Sequence, residues 1–374
     1  MQTCCVCLDE KQLIPLETCS HGICPDCIVS VFRRNPRCPL CRDNGIHRAS
    51  DSYSSESSRG DLLDEDSQDE PVLQLSSQYL NQILVGHRDD VTAVAVFADG
   101  TRVVSGNGNW NGADCSVKIW DVTSGAELYT MSGHGHRVNA VAVFANGTRI
   151  VSGSQDNTIK VWDIASGVCL RTLSGHTDWV TAVAVFADDK RIVSGSEDKT
   201  VKIWDADSGV CLRTLSGHRY GVIAVSVFPD GFRIVSGSDD QSVKVWDATS
   251  GANLLTLNGH SHVVWSVAVF RDGSRIVSGS GDQSVKIWDA TTGANLLTLT
   301  GHNDDVTCVA VFRDDTRIVS SSEDWSMKVW DATSGANLLT LTGHSHGVFG
   351  VAVFADGSRI VSASNDGTVK IWKL

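Results

Sequence analysis

Most of the chain consists of short apolar runs in which every second position is hydrophobic. One such run, "VTAVAVF", follows a Gly-His dipeptide, and a turn of the type "ADGTR" separates it from a second run, "IVSGS". A third run ends in tryptophan, as in "TIKVWD", and a fourth, of the type "SGxxLxTL", leads into the next Gly-His. A period of two places alternate side chains on one face of an extended strand, so each unit predicts four short strands.

The four-strand unit repeats with a nearly constant length. Gly-His dipeptides begin at residues 86, 133, 175, 217, 259, 301 and 343, so the interval is 47 once and 42 thereafter. Trp-Asp pairs end the third strand in six units, and the seventh reads Trp372-Lys373. Four strands in a unit of this length are typical of one propeller blade. This part of the chain resembles the WD-repeat family, in seven copies.

The two ends of the repeat predict how the ring closes. The seventh copy has no fourth strand, whereas "QYLNQILV", before the first Gly-His, has the pattern of that strand. WD-repeat proteins close their ring by letting an N-terminal strand complete the last blade, which leaves no strand unpaired there. We therefore expect a mainly all-β fold in which residues 72–374 form a seven-bladed WD-repeat β-propeller.

Each unit carries His, Ser, Asp and Trp in the same order, as at His134, Ser152, Asp156 and Trp162. The first three types also make up a hydrolase triad. A catalytic site occurs once in a chain, however, whereas this set occurs seven times. In the WD-repeat family these residues form a hydrogen-bond network within the blade, and a buried aspartate needs donors of this kind. We interpret all seven sets as scaffold.

Variation among the units is concentrated just after Gly-His and just before the network aspartate. In WD-repeat proteins these positions lie on one rim of the ring. Aromatic anchors among polar groups suit a protein or peptide partner, and acidic residues favour a basic one. The alternative is a solvated rim without a fixed partner. The candidate binding residues are Trp179, Trp265, Phe349, Arg137, Ile223, Glu197, Asp239, Asp305 and Glu323. Other variable positions include Asp90, Thr92, Asn139, Thr181, Val263 and Thr307.

The first unit is five residues longer than the others, within "SGNGNWNGAD" (105–114). Its glycines do not form a dinucleotide-binding fingerprint because no helix follows. We expect the added segment, which holds Trp110, to loop out on the same rim. It either extends the binding face or is a tolerated surface insertion.

A second region is set apart by its cysteines, since eight of the 12 lie in residues 4–41. Seven of them and one histidine have the spacing of two tetrahedral zinc sites, with a secreted disulfide framework as the alternative. Residues 1–48 resemble a RING finger, which implies two Zn²⁺ ions held in a cross-brace. In that arrangement one zinc is bound by Cys4, Cys7, Cys24 and Cys27, and the other by Cys19, His21, Cys38 and Cys41.

The RING resemblance implies a ubiquitin-protein ligase. A RING holds a ubiquitin-conjugating enzyme that carries ubiquitin, in a pose that a substrate lysine can attack, so its contribution is positional. Val6, Val31 and Pro39 match the residues that contact the conjugating enzyme. Arg42 matches the arginine that bridges ubiquitin and its carrier, a role that suits five donors on a planar group. Val31 is smaller than the Trp or Leu that many RING domains have at this position. The alternative function is a non-catalytic scaffold with a structural zinc finger.

Charge and composition complete the prediction. Residues 49–71 are serine-rich and acidic, which predicts a flexible linker with a typical span of roughly 25–30 Å. Ser58 and Ser67 each have an acidic residue three positions later and are candidate phosphorylation sites. The net charge of −13 argues against a nucleic acid partner. Without an apolar run of membrane-spanning length or a signal peptide, the sequence predicts a protein of the cytoplasm, the nucleus or both.

Overall fold

A computed structural model of the protein describes residues 78–108 and 114–374. These residues form 28 strands, joined by turns. The strands are short because the alternating runs that form them are interrupted every six residues or so by Gly, Asp and Ser, which favour turns. None of the described segments forms a helix that is long and apolar enough to cross a membrane.

The strands follow one another along the chain in groups of four. A first strand, β1 (Leu80–Val85), precedes blade 1, which consists of β2 (Val91–Val96), β3 (Arg102–Asn107), β4 (Val117–Asp121) and β5 (Glu127–Met131). Blade 2 consists of β6 (Val138–Val143), β7 (Arg149–Ser154), β8 (Thr158–Asp163) and β9 (Cys169–Ser174), and blade 3 of β10 (Val180–Val185), β11 (Arg191–Ser196), β12 (Thr200–Asp205) and β13 (Cys211–Ser216). Blade 4 consists of β14 (Val222–Val227), β15 (Arg233–Ser238), β16 (Val243–Asp247) and β17 (Asn253–Leu257), and blade 5 of β18 (Val264–Val269), β19 (Arg275–Ser280), β20 (Val285–Asp289) and β21 (Asn295–Leu299). Blade 6 consists of β22 (Val306–Val311), β23 (Arg317–Ser322), β24 (Met327–Asp331) and β25 (Asn337–Leu341), and blade 7 begins with β26 (Val348–Val353), β27 (Arg359–Ser364) and β28 (Thr368–Lys373).

Each blade is an antiparallel sheet of four strands in sequence order, except the last. In blade 7 the fourth strand is β1, which pairs with β28 so that Leu84 lies opposite Val369 and Val85 opposite Thr368. The predicted closure of the ring is therefore confirmed. This pairing joins the two ends of the repeat through backbone hydrogen bonds. The seven four-stranded sheets therefore form a closed seven-bladed propeller.

The core lies between neighbouring blades. At the boundary between blades 1 and 2, for example, Ile119 and Met131 pack against Val138 and Trp162. At the closing boundary Leu84 of β1 joins Val369 of blade 7 and Trp120 of blade 1 in one buried cluster. Each sheet thus packs between its two neighbours, which explains why the first three strands of a blade are buried or half-buried while the fourth is mostly exposed.

The first strand of each blade, which we call the inner strand, carries a β-bulge at its first turn. In blade 3, Val180 pairs with Ser196 and Ala182 pairs with Gly195, so Thr181 is the extra residue. The same irregularity occurs in the inner strand of every blade. A bulge bends the strand and re-aims a side chain, so one residue per blade is turned toward the end of the blade that bears the Gly-His loops.

Candidate functional site

The end of the propeller that bears the Gly-His loops is the candidate site, and we call it the rim. It comprises the loops that precede the inner strands and the turns between the second and third strands. Both kinds of segment hold the variable positions of the sequence. Because strands 1 and 2 of a blade are antiparallel, the start of the first and the end of the second meet at the same edge.

The predicted network is present in blade 2. The indole Nε1 of Trp162 donates to Ser152 Oγ over 2.8 Å, and Ser152 Oγ lies 2.7 Å from His134 Nε2. The other ring nitrogen, His134 Nδ1, lies 2.8 Å from Asp156 Oδ2. With the ring proton on Nδ1, every donor has an acceptor: indole to serine, serine to imidazole, and imidazole to carboxylate.

The aspartate is the acceptor on which the network ends. Asp156 also accepts the backbone N–H groups of Gly135 and Thr158 and the hydroxyl of Thr158, at 2.6 to 2.9 Å. Burial alone would raise the pKa of this carboxyl, but the hydrogen bonds and the neighbouring imidazole hold it well below its ordinary value. An ionised aspartate that is fully engaged in this way is a structural group, and it has no acceptor capacity left for chemistry on a substrate.

Blades 3 to 7 repeat this geometry. In each of them a His Nδ1 lies 2.7 to 2.9 Å from the network aspartate and a His Nε2 lies 2.7 to 2.8 Å from the network serine. The interpretation of these sets as scaffold is consistent with the engagement of every donor and acceptor. The aspartates are Asp198, Asp240, Asp282, Asp324 and Asp366.

Blade 1 departs from the expectation that all seven networks are complete. His87 Nε2 lies 2.6 Å from Ser105 Oγ and Trp120 Nε1 donates to the same oxygen, but His87 Nδ1 is buried without a hydrogen-bond partner in the described part of the chain. Asp114 lies 27 residues after His87 instead of the 22 that separate His134 from Asp156, because of the five added residues. Burial and the nearby Lys118 lower the pKa of His87 from 6.5 to about 4.

Four of the seven bulge residues serve the fold. Thr92, Thr181 and Thr307 each donate their hydroxyl to the first backbone carbonyl of the next inner strand, at Val138, Val222 and Val348. Asn139 makes the same contact through its side-chain amide, with Nδ2 at 2.9 Å from the carbonyl oxygen of Val180. These bonds tie neighbouring blades together, so these side chains are not free to recognise a partner.

The other three bulge residues are Ile223, Trp265 and Phe349, which the sequence placed among the candidate binding residues. Their apolar side chains do not hydrogen-bond to the next inner strand, and that of Trp265 is 36% exposed. Its indole Nε1 donates to Asp305 Oδ2 over 2.9 Å, across the boundary between blades 5 and 6. The ring of Phe349 lies over Gly347, where a Cβ would come within 3.0 Å of Phe349 Cε2.

The position three residues after the network histidine varies in its surroundings. Trp179 is 36% exposed, whereas Val263 is only 5% exposed and belongs to the buried set. Arg137 is partly buried beside Asp90, and burial lowers its pKa while Asp90 opposes that effect. Position alone therefore does not decide which of these side chains a partner can reach.

Two candidate glutamates lie over glycines of the next blade. A side chain at Gly221 would meet Glu197 Oε2 at 2.0 Å, and one at Gly347 would approach Glu323. Burial, Asp239 and Asp178 raise the pKa of Glu197 above its ordinary value. Burial, Asp305 and Asp304 do the same for the pKa of Glu323. The two glutamates and the candidates Asp239 and Asp305 thus form two acidic clusters on the rim, one in blades 3 and 4 and one in blade 6.

Sequence reasoning missed two exposed aromatic residues on the rim, Tyr220 at 57% exposure and Trp325 at 51%. The Tyr220 ring lies 5.8 Å from Lys199 Nζ, and the Trp325 ring lies 6.2 Å from that of His346. Trp325 has a φ of +70°, at the turn position where other blades have Asn157, Lys199, Gln241, Gln283 and Gly367. The sequence did contain a signal for Trp325. The other copies have Asn, Lys, Gln or Gly at this turn position, so a tryptophan there stands out.

Several predicted features lie outside the described residues. They are the RING-like region (1–48), the linker (49–71), the zinc ligands, the conjugating-enzyme contacts Val6, Val31, Pro39 and Arg42, and Trp110 of the first unit. Within residues 78–108 and 114–374, no group of three or more His, Cys, Asp or Glu side chains could hold a metal ion.

Comparison with known families agrees with the architecture. A family model described as "WD domain, G-beta repeat" (WD40) matches residues 78–121, 125–163, 167–205, 209–247, 251–289, 293–331 and 335–373. A search of curated proteins found no match. Each of the seven matched segments contains one Gly-His dipeptide, and together they cover most of the chain. A propeller of this kind serves as a scaffold for protein–protein interaction. The protein belongs to the WD40 repeat family.

Proposed function

We propose that the protein is a RING-type ubiquitin-protein ligase whose propeller recruits the substrate. The observation that carries the proposal is the spacing of eight ligands, from Cys4 to Cys41, in the same chain as a WD40 propeller. Seven thiolates and one imidazole in this order suit two tetrahedral zinc ions, because zinc prefers sulfur and nitrogen donors in sets of four. A region of some 40 residues also needs such an anchor, since it buries too little apolar surface to fold alone.

The proposed ligase supplies no nucleophile of its own. The two zinc ions would be structural and would fix the positions of the surrounding side chains. Val6, Val31 and Pro39 would form the apolar contact with a ubiquitin-conjugating enzyme. Arg42 would hydrogen-bond the conjugating enzyme and its ubiquitin at once, which restricts a mobile pair to an arrangement that a lysine amine can attack.

The propeller would hold the substrate near that complex. Its rim carries exposed aromatic side chains among carboxylates, which is the composition of a protein-binding surface. In solution the effect of linking the two parts is a raised local concentration of substrate at the carrier. The residues that we assign to recruitment are those of the rim whose side chains do not hydrogen-bond to the backbone of the next inner strand.

An autoubiquitination assay with a panel of conjugating enzymes tests the ligase proposal. We expect the full chain to form ubiquitin chains with at least one enzyme, and the Arg42→Ala variant to lose most of that activity while retaining two zinc ions per chain. Arg48→Ala removes an arginine outside the ligand set and serves as the control, with activity retained. If Arg42→Ala is as active as the wild type, or if no enzyme supports the wild type, the ligase proposal is wrong and the interaction scaffold remains.

A further inference from the structure

The two halves of the rim differ in charge. The rim segments of blades 1 to 4 contain Arg88, Arg137, Lys199 and Arg219. Those of blades 5 to 7, which are residues 259–263, 281–283, 301–305, 323–325, 343–347 and 365–367, contain neither Lys nor Arg. The second half nevertheless holds three carboxylates besides the network aspartates, namely Asp304, Asp305 and Glu323.

These three carboxylates are close to one another. The backbone N–H of Glu323 donates to the carbonyl oxygen of Asp305 over 3.0 Å, and Asp304 Oδ1 accepts the backbone N–H of Asp305 over 2.9 Å. Proximity of the two aspartates is one reason why the pKa of Glu323 lies above its ordinary value. In the described part of the chain none of the three forms an ion pair with Lys or Arg. Their negative charge is therefore not balanced within the propeller.

Exposed tryptophans flank the carboxylates on both sides. Trp265 is fixed by its hydrogen bond to Asp305 and leaves 36% of its side chain exposed. Trp325, two residues after Glu323, is 51% exposed and contacts His346 of the next blade. Its φ of +70° is costly for a bulky residue, and burial does not repay that cost because half of the side chain faces solvent.

We propose that Trp265, Asp305, Glu323 and Trp325 form an aromatic–acidic patch that binds a lysine- or arginine-rich segment of a partner protein. A cationic side chain fits both kinds of group, since the carboxylates accept its hydrogen bonds and the indole faces attract its charge. A rim half with no cation of its own attracts such a segment without local opposition, whereas in blades 1 to 4 four cations offset most of the carboxylates. This inference rests on the recruiting role of the propeller in the proposed function and is independent of the zinc-binding region.

Fluorescence anisotropy with the full chain tests the charge requirement. The probe is a fluorescein-labelled peptide of alternating Arg and Ser, and the comparison peptide has citrulline in place of every Arg. We expect binding of the arginine peptide only, and about a tenfold weaker affinity for the Asp305→Asn/Glu323→Gln variant, as expected from the loss of charged hydrogen bonds.

The control for general attraction is Asp99→Asn/Asp207→Asn. It also removes two negative charges, but from turns at the end of the propeller opposite the rim. We expect this variant to bind the peptide with an affinity within about twofold of that of the wild type, because exposed charges far from the rim are screened at physiological salt. Equal weakening in both double variants would mean that net charge alone attracts the probe. Equal binding of the citrulline peptide would mean that the positive charge is not recognised, and either result would make the inference wrong.

A substitution at Trp325 separates a binding role from a structural one. Asn tolerates a positive φ and occupies the same turn position in blade 2, so Trp325→Asn is expected to leave the melting temperature unchanged or raise it. Binding of the arginine peptide should fall several-fold, because the cation loses an aromatic face. A lower melting temperature with unchanged binding would show that Trp325 supports the fold instead.

Autoubiquitination of the same variants keeps this inference distinct from the ligase proposal. The patch holds none of the proposed zinc ligands or conjugating-enzyme contacts, so all variants should match the wild type in that assay. Loss of peptide binding with intact autoubiquitination supports the patch. A wild type that binds the peptide but has no ligase activity would refute the ligase proposal alone.

Discussion

Blades 1 and 2 begin with the same Gly-His dipeptide and have a serine 18 residues after the histidine, yet the two histidines end in different surroundings. His134 uses both ring nitrogens, one toward Ser152 and one toward Asp156. His87 uses only Nε2, and Asp114 lies beside Ser116 and Asn107 instead. Five added residues between the serine and the aspartate account for the difference.

The comparison teaches which part of the motif depends on spacing. The serine and tryptophan contacts survive in blade 1 because they join paired strands, whose register the insertion does not alter: Ser105 still pairs with Lys118 and Val103 with Trp120. The aspartate lies in the turn, and its reach depends on the length of that turn. Asn107, where the other blades have serine, accepts the N–H and hydroxyl of Ser116 and so supplies a partial substitute.

The largest expected effect comes from removing the aspartate in each blade. Asp156→Ala leaves four donors in blade 2 without an acceptor, so we expect it to lower the free energy of unfolding by about 3 kcal/mol. Asp114→Ala should cost about 1 kcal/mol or less, because the ring of His87 does not hydrogen-bond to it. Urea unfolding of both variants measures the difference. Equal losses would contradict the view that the network is complete in blade 2 and incomplete in blade 1.

Acid should affect blade 1 before blade 2. The pKa of His87 is lowered from 6.5 to about 4. Between these two pH values the imidazole is protonated in the unfolded chain but stays neutral in the folded blade. The stability from a neutral His87 is therefore full above pH 6.5 and is lost as the pH falls toward 4, by about 1–2 kcal/mol at pH 5. The lowered pKa of Asp156 acts in a lower range, since its contribution is full above about pH 4 and is lost below that value.

Hydrogen exchange at pH 7 and pH 5, corrected for the intrinsic rate, measures this difference in acid sensitivity. The amides of β3 should lose about tenfold more protection than those of β7 on acidification. His87 faces Lys118, Asp114 and Glu127, and Lys118 acts in the same direction as burial. The same loss of protection in the two strands would show that His87 does not control the acid response.

Shortening the turn of blade 1 should give that blade the complete hydrogen-bond network seen in blade 2. Deletion of residues 109–113 places Asp114 22 residues after His87, the spacing of the other blades. We expect a gain of about 1 kcal/mol in the free energy of unfolding and a higher pKa for His87, because a carboxylate would then accept the Nδ1 proton. An NMR titration of the histidines follows the second effect. An unchanged His87 titration would mean that spacing is not the cause of the open network.

The smallest effect concerns a feature that blade 1 shares with blade 3. Thr92 of blade 1 and Thr181 of blade 3 both donate to the next inner strand, so Thr92→Val and Thr181→Val should each cost about 0.5–1 kcal/mol. Ile223→Val, at a bulge without such a bond, is the control and should cost less. A much larger loss for Thr181→Val than for Thr92→Val in urea unfolding would show that the insertion also weakens the boundary between blades 1 and 2.

Much of the propeller is predictable because its pattern is local. The strands, the network residues and the closing strand Leu80–Val85 all follow from alternation and from a repeat of constant length. The order of the zinc-type ligands is equally local, so the sequence states the RING-like hypothesis in full. The RING-like region lies outside the described residues, so the hypothesis stays a prediction.

The rim was predictable only in outline. The sequence located its positions, but it did not show that Thr181 is engaged by the carbonyl of Val222 or that Val263 is buried. Nor did it indicate that Trp325 stands half exposed beside His346. These facts depend on the neighbouring blade, which contributes atoms from about 40 residues away in the chain, and no local pattern carries that information.

By itself, then, the sequence determined the seven-bladed WD40 propeller, because seven copies of a four-strand unit of nearly constant length are typical of propeller blades. The tertiary structure decided which side chains remain available on that framework. The network of blade 1 is open because a turn is too long for its aspartate to reach. The carboxylates of blade 6 are unbalanced because none of the described Lys and Arg side chains forms an ion pair with them. Both outcomes are set by distances between segments, which only the folded ring fixes.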